Sequence, residues 1–204
     1  MKTVITIGRE HGSGGREIGK YIAQKLGIEC YDTRFITEAA KRTGINEKIF
    51  QTYNERPVDS LLYSISMSTS AFPGFTWGTK NRSFAEQVCQ AQFDLIKEFA
   101  KKPCVIVGRC ADSVIDNSVA KCRIFIRAEQ KERILRIMQT YQLSEKDALK
   151  AITQADKERS SYYNFFTNRQ WGDSRNYDLC LNVSELSIES ASEIIIDYVS
   201  KREV

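Results

Sequence analysis

Apolar positions along the chain change period at glycines, and the changes mark out elements. Residues 3–7 form a short β-branched run that predicts a strand. A glycine cluster follows. From residue 15 to 26 the apolar residues Ile18, Ile22 and Leu26 recur on one helical face, until Gly27 stops the helix. Residues 28–31 predict a second strand ending at Asp32. Residues 33–43, with Phe35, Ile36, Ala39 and Ala40 on the packed side, predict a helix closed by Gly44, and residues 46–53 predict another. Residues 58–67 fit a helix, but 68–82 have no period and mix aromatic residues with Gly, Pro, Ser and Thr. A stretch of that kind inside a compact domain is usually functional or disordered, and its aromatic residues argue against simple disorder.

Ser83 with Glu86 predicts a capped helix running to about residue 101, with Phe84, Val88, Ala91, Leu95 and Phe99 on its buried stripe. Pro103 breaks it. Residues 104–107 are wholly apolar, which suits a short strand buried on both faces, and lead into Gly108-Arg109-Cys110-Ala111-Asp112. Residues 122–126 predict a fourth strand followed by Arg127. Two helices, 129–141 and 144–161, come next, the second opened by a capping box of Ser144 and Asp147. Residues 162–177 are aromatic and irregular, 179–183 form a fifth strand, and 187–201 a final helix. Strands alternating with helices imply right-handed crossovers and a parallel sheet covered on both faces. Ligands then bind at the carboxyl ends of the strands, where the glycine cluster, Asp32, the 108–112 segment and Arg127 fall.

The totals narrow the classes. A chain of 204 residues, 42% hydrophobic and 27% charged, suits one soluble globular domain with a real core. A net charge of +4 without a dense basic block argues against a nucleic-acid partner, while leaving local arginines for a small polyanion. The N-terminus enters a strand by Thr3 with no apolar leader, and no apolar run approaches the ~20 residues of a membrane span. The expectation is a cytoplasmic protein with no membrane partner. Six cysteines without a CxxC pair fit reduced core residues, and a single histidine leaves no visible zinc cluster, so no protein metal ligand is assigned.

Four glycines (Gly8, Gly12, Gly14, Gly15) fall among residues 8–15, between the first strand and the first helix. Strand, glycine turn and helix in that order make a phosphate cradle, because the backbone approaches the anion and the helix N-terminal N–H groups point at it. The usual text GxxxxGK[ST] is absent. Aligned on the helix start, Gly15 takes the lysine position and Arg16 that of the metal-binding hydroxyl. Arg9 and Arg16 are the candidates to replace the lost charge, and Arg16 cannot replace a Mg²⁺-ligating hydroxyl. The candidate phosphate-binding set is Gly8, Arg9, Gly12, Ser13, Gly14, Gly15, Arg16 and Glu17. Two other readings stand beside it. One is a tight turn with solvated arginines. The other is a dinucleotide fingerprint, for which Gly12, Gly14 and Asp32 fit but Glu17 occupies the third glycine position. His11 in the same turn fits a phosphate or backbone partner better than a base.

Several separated motifs then line up: the opening run from Ile5 to Gly19, Tyr31-Asp32-Thr33, Gly108-Arg109, Arg133 and Arg136 with Asp156-Lys157-Glu158-Arg159, and Asn176-Tyr177-Asp178. With these the chain resembles the cytidylate kinase-like branch of the P-loop nucleoside monophosphate kinases over nearly its whole length. The resemblance implies an α/β three-layer sandwich with a five-stranded parallel sheet of order 2-3-1-4-5. It implies one domain spanning 1–204, with a helical acceptor-binding insertion at 45–82 and a lid region at 128–177. It also implies an ATP-dependent kinase moving the γ-phosphate to CMP or dCMP with Mg²⁺, and small-molecule nucleotides as partners. A homodimer stays open. By the same resemblance Asp32, Arg109 and Asp112 hold the acceptor, Cys110 standing where the family has Asp. Arg16, Arg133, Arg136 and Arg159 are then the catalytic cations, three of them from the lid. A kinase for another small acceptor and a non-catalytic nucleotide-binding protein are the alternatives.

Overall fold

In the computed structural model the described residues are 2–32, 38 and 84–202, with side chains described from 89 onward in the second block. Apart from residue 38, which is helical, the helices and loop expected between residues 33 and 82, and the Ser83 cap, lie outside them. The chain divides into two compact units, Met1–Asp32 with Ile96–Val204, and Thr33–Leu95.

The larger unit is built on strands β1 (Val4–Arg9), β2 (Glu29–Tyr31), β3 (Cys104–Val107), β4 (Lys121–Arg127) and β5 (Leu179–Asn182). They form one sheet of order β2-β3-β1-β4-β5, every pairing parallel. The described helices are α1 (Gly15–Leu26), α2 (Phe84–Phe99), α3 (Ala111–Val114), α4 (Gln130–Tyr141), α5 (Glu145–Thr167) and α6 (Ile188–Arg202), with a 3₁₀ turn at Ser174–Asn176. The hydrophobic alternation explains the layering. Ile5 and Ile7 of β1, Val105 and Val107 of β3, and Ile124 and Ile126 of β4 face one side. There they meet Ile18 and Ile22 of α1 and Ala191, Ile195 and Val199 of α6. Each isoleucine taken wholly from water there contributes about 1.5–3 kcal/mol.

β1 runs two residues beyond the predicted strand. Gly8 pairs with Phe125 and Arg9 with Ile126, so Arg9 belongs to the sheet and not to the turn. A glycine weakens a strand pattern, which is why the sequence stops it at Ile7. α5 reaches Thr167, six residues past the expected end, so residues 162–167 are helical and not irregular. The aromatic residues there sit at helical spacing: Tyr162 packs on Phe166 one turn later, centroids 4.6 Å apart, and Tyr163 is buried. Ser144 Oγ accepts the Asp147 N–H at 3.2 Å, as its capping role requires. The buried stripe of α2 is rotated from the expected one: Cys89, Gln92, Leu95 and Ile96 are buried, while Ala91 is half-buried. Phe99, also only half-buried, stacks on Tyr31 with centroids 3.9 Å apart. None of the six cysteines is in a disulfide, and four of them are buried.

Candidate functional site

β1 and β3 are neighbours, so the turns that follow them lie side by side at the carboxyl edge of the sheet. The first turn runs Glu10–Gly15. Gly12 and Gly14 have φ of +79° and +82°, a left-handed conformation that side chains disfavour. Glu10 fastens its start: its N–H donates to Ile126 O at 3.0 Å, and its Oε2 accepts the Ala128 N–H at 3.0 Å. Ser13 is fully buried and donates its hydroxyl to Glu10 O at 2.9 Å. The N–H groups of Gly12, Gly14 and Gly15 have no hydrogen-bond partner among the described residues. They are donors presented at the mouth of α1.

Three arginines from α4 and α5 hold carbonyls of the turn and of the strand residue before it. Arg159 donates to Arg9 O at 3.2 Å, Arg133 to His11 O at 3.3 Å, and Arg136 to Gly12 O at 2.7 Å. Asp156 gathers these groups. Its Oδ1 accepts the His11 N–H at 2.7 Å and lies 3.8 Å from Arg159 Nη1, and its Oδ2 pairs with Arg133 Nη1. Arg133 Nε also faces Glu10 Oε2 at 3.6 Å. Arg159 Nη2 approaches His11 Nδ1 at 3.3 Å, and the His11 ring stacks on Tyr141. Sequence reasoning gave Asp156 and Glu10 no role. The i,i+3 spacing of Asp156 and Arg159 was the available signal, though it reports only a shared helix face.

The second turn runs Gly108–Ala111. Gly108, Arg109 and Cys110 all have positive φ, at 80°, 60° and 54°. For the two non-glycine residues this costs about 1–2 kcal/mol each. Local bonds hold the turn: Gly108 N–H to Ile7 O at 2.9 Å, Ala111 N–H to Gly108 O at 3.2 Å, and Val114 N–H to Cys110 O at 2.9 Å. Arg109 makes no hydrogen bond or ion pair among the described residues. Asp112 is directed under α5, where Tyr163 donates to it at 2.7 Å and burial pushes its carboxyl above the usual range.

Charge at this edge is unbalanced. Burial pushes the Arg9 guanidinium down to about 9, and Arg159, Arg109 and Arg16 add to that, against the opposing pull of Asp32. Burial likewise lowers Arg159, against the opposing pull of Asp156, Tyr141 and Glu158 and with a smaller contribution from Arg109. Asp32 is engaged by Arg16, which is nearly half exposed. Glu17 is exposed and makes no hydrogen bond or ion pair among the described residues. The structure thus gathers Arg9, Arg16, Asp32, Arg109 and Arg159 about the glycine turn, with Arg133 and Arg136 behind it. Asp112 and Glu17 stand apart. Gly8 lies one residue inside β1, against Phe125 and Tyr177. An edge rich in cations and open N–H donors is suited to a polyanion. Among the described residues no cluster of three metal-ligating side chains occurs, and no helix is long and apolar enough to cross a membrane.

A parallel sheet of this order, with a glycine turn after its central strand feeding a helix, defines a P-loop kinase fold. The chain belongs to the Cytidylate kinase-like family, whose sequence profile matches residues 4–185. Membership makes it a phosphotransferase by class. An uncharacterized protein from Eubacterium ventriosum ATCC 27560 has a similar crystal structure, with a TM-score of 0.70 at 25% identity over 97% of this chain and 98% of that one. Shikimate kinase from Bacteroides thetaiotaomicron shares the fold, with a TM-score of 0.51 at 15% identity over 97% of this chain and 98% of that one. No curated protein matches the sequence.

Proposed function

We propose that the protein transfers the γ-phosphate of ATP to a nucleoside monophosphate, with CMP or dCMP as the acceptor. The observation that carries this reading is the cation cluster of Arg9, Arg109 and Arg159, only partly offset by Asp32 and Asp156, beside the N–H groups of Gly12, Gly14 and Gly15 that have no partner among the described residues. Phosphoryl transfer asks a protein chiefly for positioning and for neutralising charge, and this edge offers both. The glycine turn receives the donor phosphates. Arg109, beside that turn and without a hydrogen bond or ion pair among the described residues, receives the acceptor phosphate, with Asp32 at the same edge. Arg159 closes on the transferring group from α5. Arg133 and Arg136 act by fixing the turn's carbonyls, so that its N–H groups stay aimed at the phosphates. ATP fits these residues. The Mg²⁺ that usually accompanies it finds no hydroxyl ligand in this turn, since Arg16 takes that position and the Ser13 hydroxyl is committed to Glu10 O. No step is therefore assigned to the metal.

The test is ADP release from MgATP across a panel of nucleoside monophosphates. The expected result is turnover with CMP or dCMP above the other acceptors. Turnover with a non-nucleotide acceptor alone would reassign the substrate while keeping the reaction. Tight ATP binding with no turnover on any acceptor would overturn the kinase reading and leave a nucleotide-binding protein.

A further inference from the structure

The lysine missing from the glycine turn has a stand-in, and it comes from the strand and not from the helix. Arg9 ends β1 in register with Ile126, two positions after Ile7 and so on the face that α1 covers. Its side chain crosses from β1 toward β3, and two glycines make room for it. A Cβ placed on Gly15 would lie 2.7 Å from Arg9 Cβ and 3.1 Å from its Cγ, so the stem runs flat against Gly15. A Cβ on Gly108 would lie 1.9 Å from Arg9 Nη1 and 2.9 Å from Cζ, so the head rests on Gly108. Real Cβ atoms do not approach so closely, and neither position admits a side chain while Arg9 keeps this path. The guanidinium makes no hydrogen bond or ion pair among the described residues, and the positive charges of Arg159, Arg109 and Arg16 around it outnumber the one opposing carboxylate, Asp32. Arg16 differs in both respects: it is exposed and it is engaged by Asp32.

We infer that Arg9, and not Arg16, binds the donor phosphates in place of the P-loop lysine, and that Gly15 is glycine because a lysine there would occupy the path of Arg9. Arginine charge and glycine space are then two halves of one exchange. The helix gives up its lysine side chain, and the strand supplies a cation through the vacated volume. The inference rests on the proposed use of ATP and adds to it which residue carries the charge and why Gly15 is glycine.

Calorimetric titration of the full chain with MgATP tests it. Arg9→Gln keeps the Cβ and Cγ that lie on Gly15 and removes the charge. It should weaken MgATP by about 10- to 100-fold, the usual worth of a hydrogen bond to a charged group, at an unchanged melting temperature. Arg9→Lys should recover most of that loss, which a purely structural role for the stem would not distinguish. Arg16→Gln should weaken binding less than Arg9→Gln. Gly15→Lys alone should be poor, because its side chain meets the Arg9 stem. In an Arg9→Ala background the same Gly15→Lys change should improve MgATP binding over Arg9→Ala alone. Equal affinities for Arg9→Gln and the unsubstituted chain would overturn the assignment while leaving the kinase reading intact. So would Gly15→Lys being as damaging with Ala at position 9 as with Arg. An unsubstituted chain that binds no MgATP would overturn both.

Discussion

The two turns at the sheet edge reach similar backbone shapes by opposite means. The first, Glu10–Gly15, uses glycine wherever φ is positive and is braced from a distance by Arg133, Arg136, Arg159 and Asp156 of α4 and α5. The second, Gly108–Ala111, closes on its own hydrogen bonds and carries Arg109 and Cys110 in the left-handed region. One turn is relaxed but dependent on distant side chains, and the other is strained and held largely by nearby backbone bonds. The difference follows from what each presents. The first offers backbone N–H groups, so side chains there would be in the way. The second presents the Arg109 side chain, so a residue other than glycine is held in a costly conformation at the position to which the proposed function assigns the acceptor phosphate. The first turn is therefore braced by side chains of α4 and α5, whereas the second is held mainly by backbone bonds and meets α5 only at its end, where Tyr163 donates to Asp112.

Removing the brace should give the largest effect. Asp156→Ala leaves the Arg133 guanidinium, only 12% exposed, short of its main partner, and leaves the His11 N–H without its acceptor. A loss of about 2–3 kcal/mol is expected from breaking so enclosed a pair. Urea unfolding would measure it. MgATP affinity should fall with it, whereas CMP affinity, which the proposed function assigns to the second turn, should change little. An equal loss for both nucleotides would mean the turns are not separable in this way.

The strained turn should answer in the opposite direction. Arg109→Gly relieves the backbone at φ 60°, for a gain of about 1 kcal/mol, or about 2–4 °C in melting temperature for a chain of this size. The same change should raise the acceptor KM by about 10- to 100-fold, since one charged hydrogen-bonding partner is lost. Stability and function would then separate at a single residue. A lower melting temperature would show that the Arg109 side chain supports the fold.

What the sequence made legible follows from how local each signal is. The β1–glycine–α1 run shows itself because strand period, glycine cluster and helix period are contiguous, and α1 has the expected bounds. Asp32 and Arg109 were placed at the sheet edge because each follows a predicted strand. The bracing of the first turn was not legible. Arg133, Arg136 and Arg159 reach carbonyls more than 120 positions away, and nothing in helical spacing says whether an arginine meets a phosphate or a peptide oxygen. The path of Arg9 was hidden for a related reason: Gly8 conceals the last two strand residues, so Arg9 looks like part of the turn. Gly15 looked like a defect in a phosphate loop until the side chain lying on it was seen.

The smallest expected effect concerns protons, and it too has opposite signs in the two turns. Burial holds the His11 imidazole below its ordinary value, Arg159, Arg9 and Arg133 add to this, and Asp156 opposes them. The unfolded chain takes up a proton near pH 6.5 that the folded first turn resists, so this histidine makes stability fall as the pH drops below about 6.5. Asp112, at the second turn, runs the other way. Burial raises its carboxyl against the pull of Tyr163, Arg169 and Arg123, so the folded state takes its proton first and gains stability as the pH falls toward about 4. Melting temperatures between pH 7 and pH 4 should therefore flatten at their upper end in His11→Gln. In Asp112→Asn the fall at the acid end should steepen, because the gain from protonating that carboxyl is gone. Identical pH profiles for the two variants would mean that neither turn titrates as its surroundings dictate.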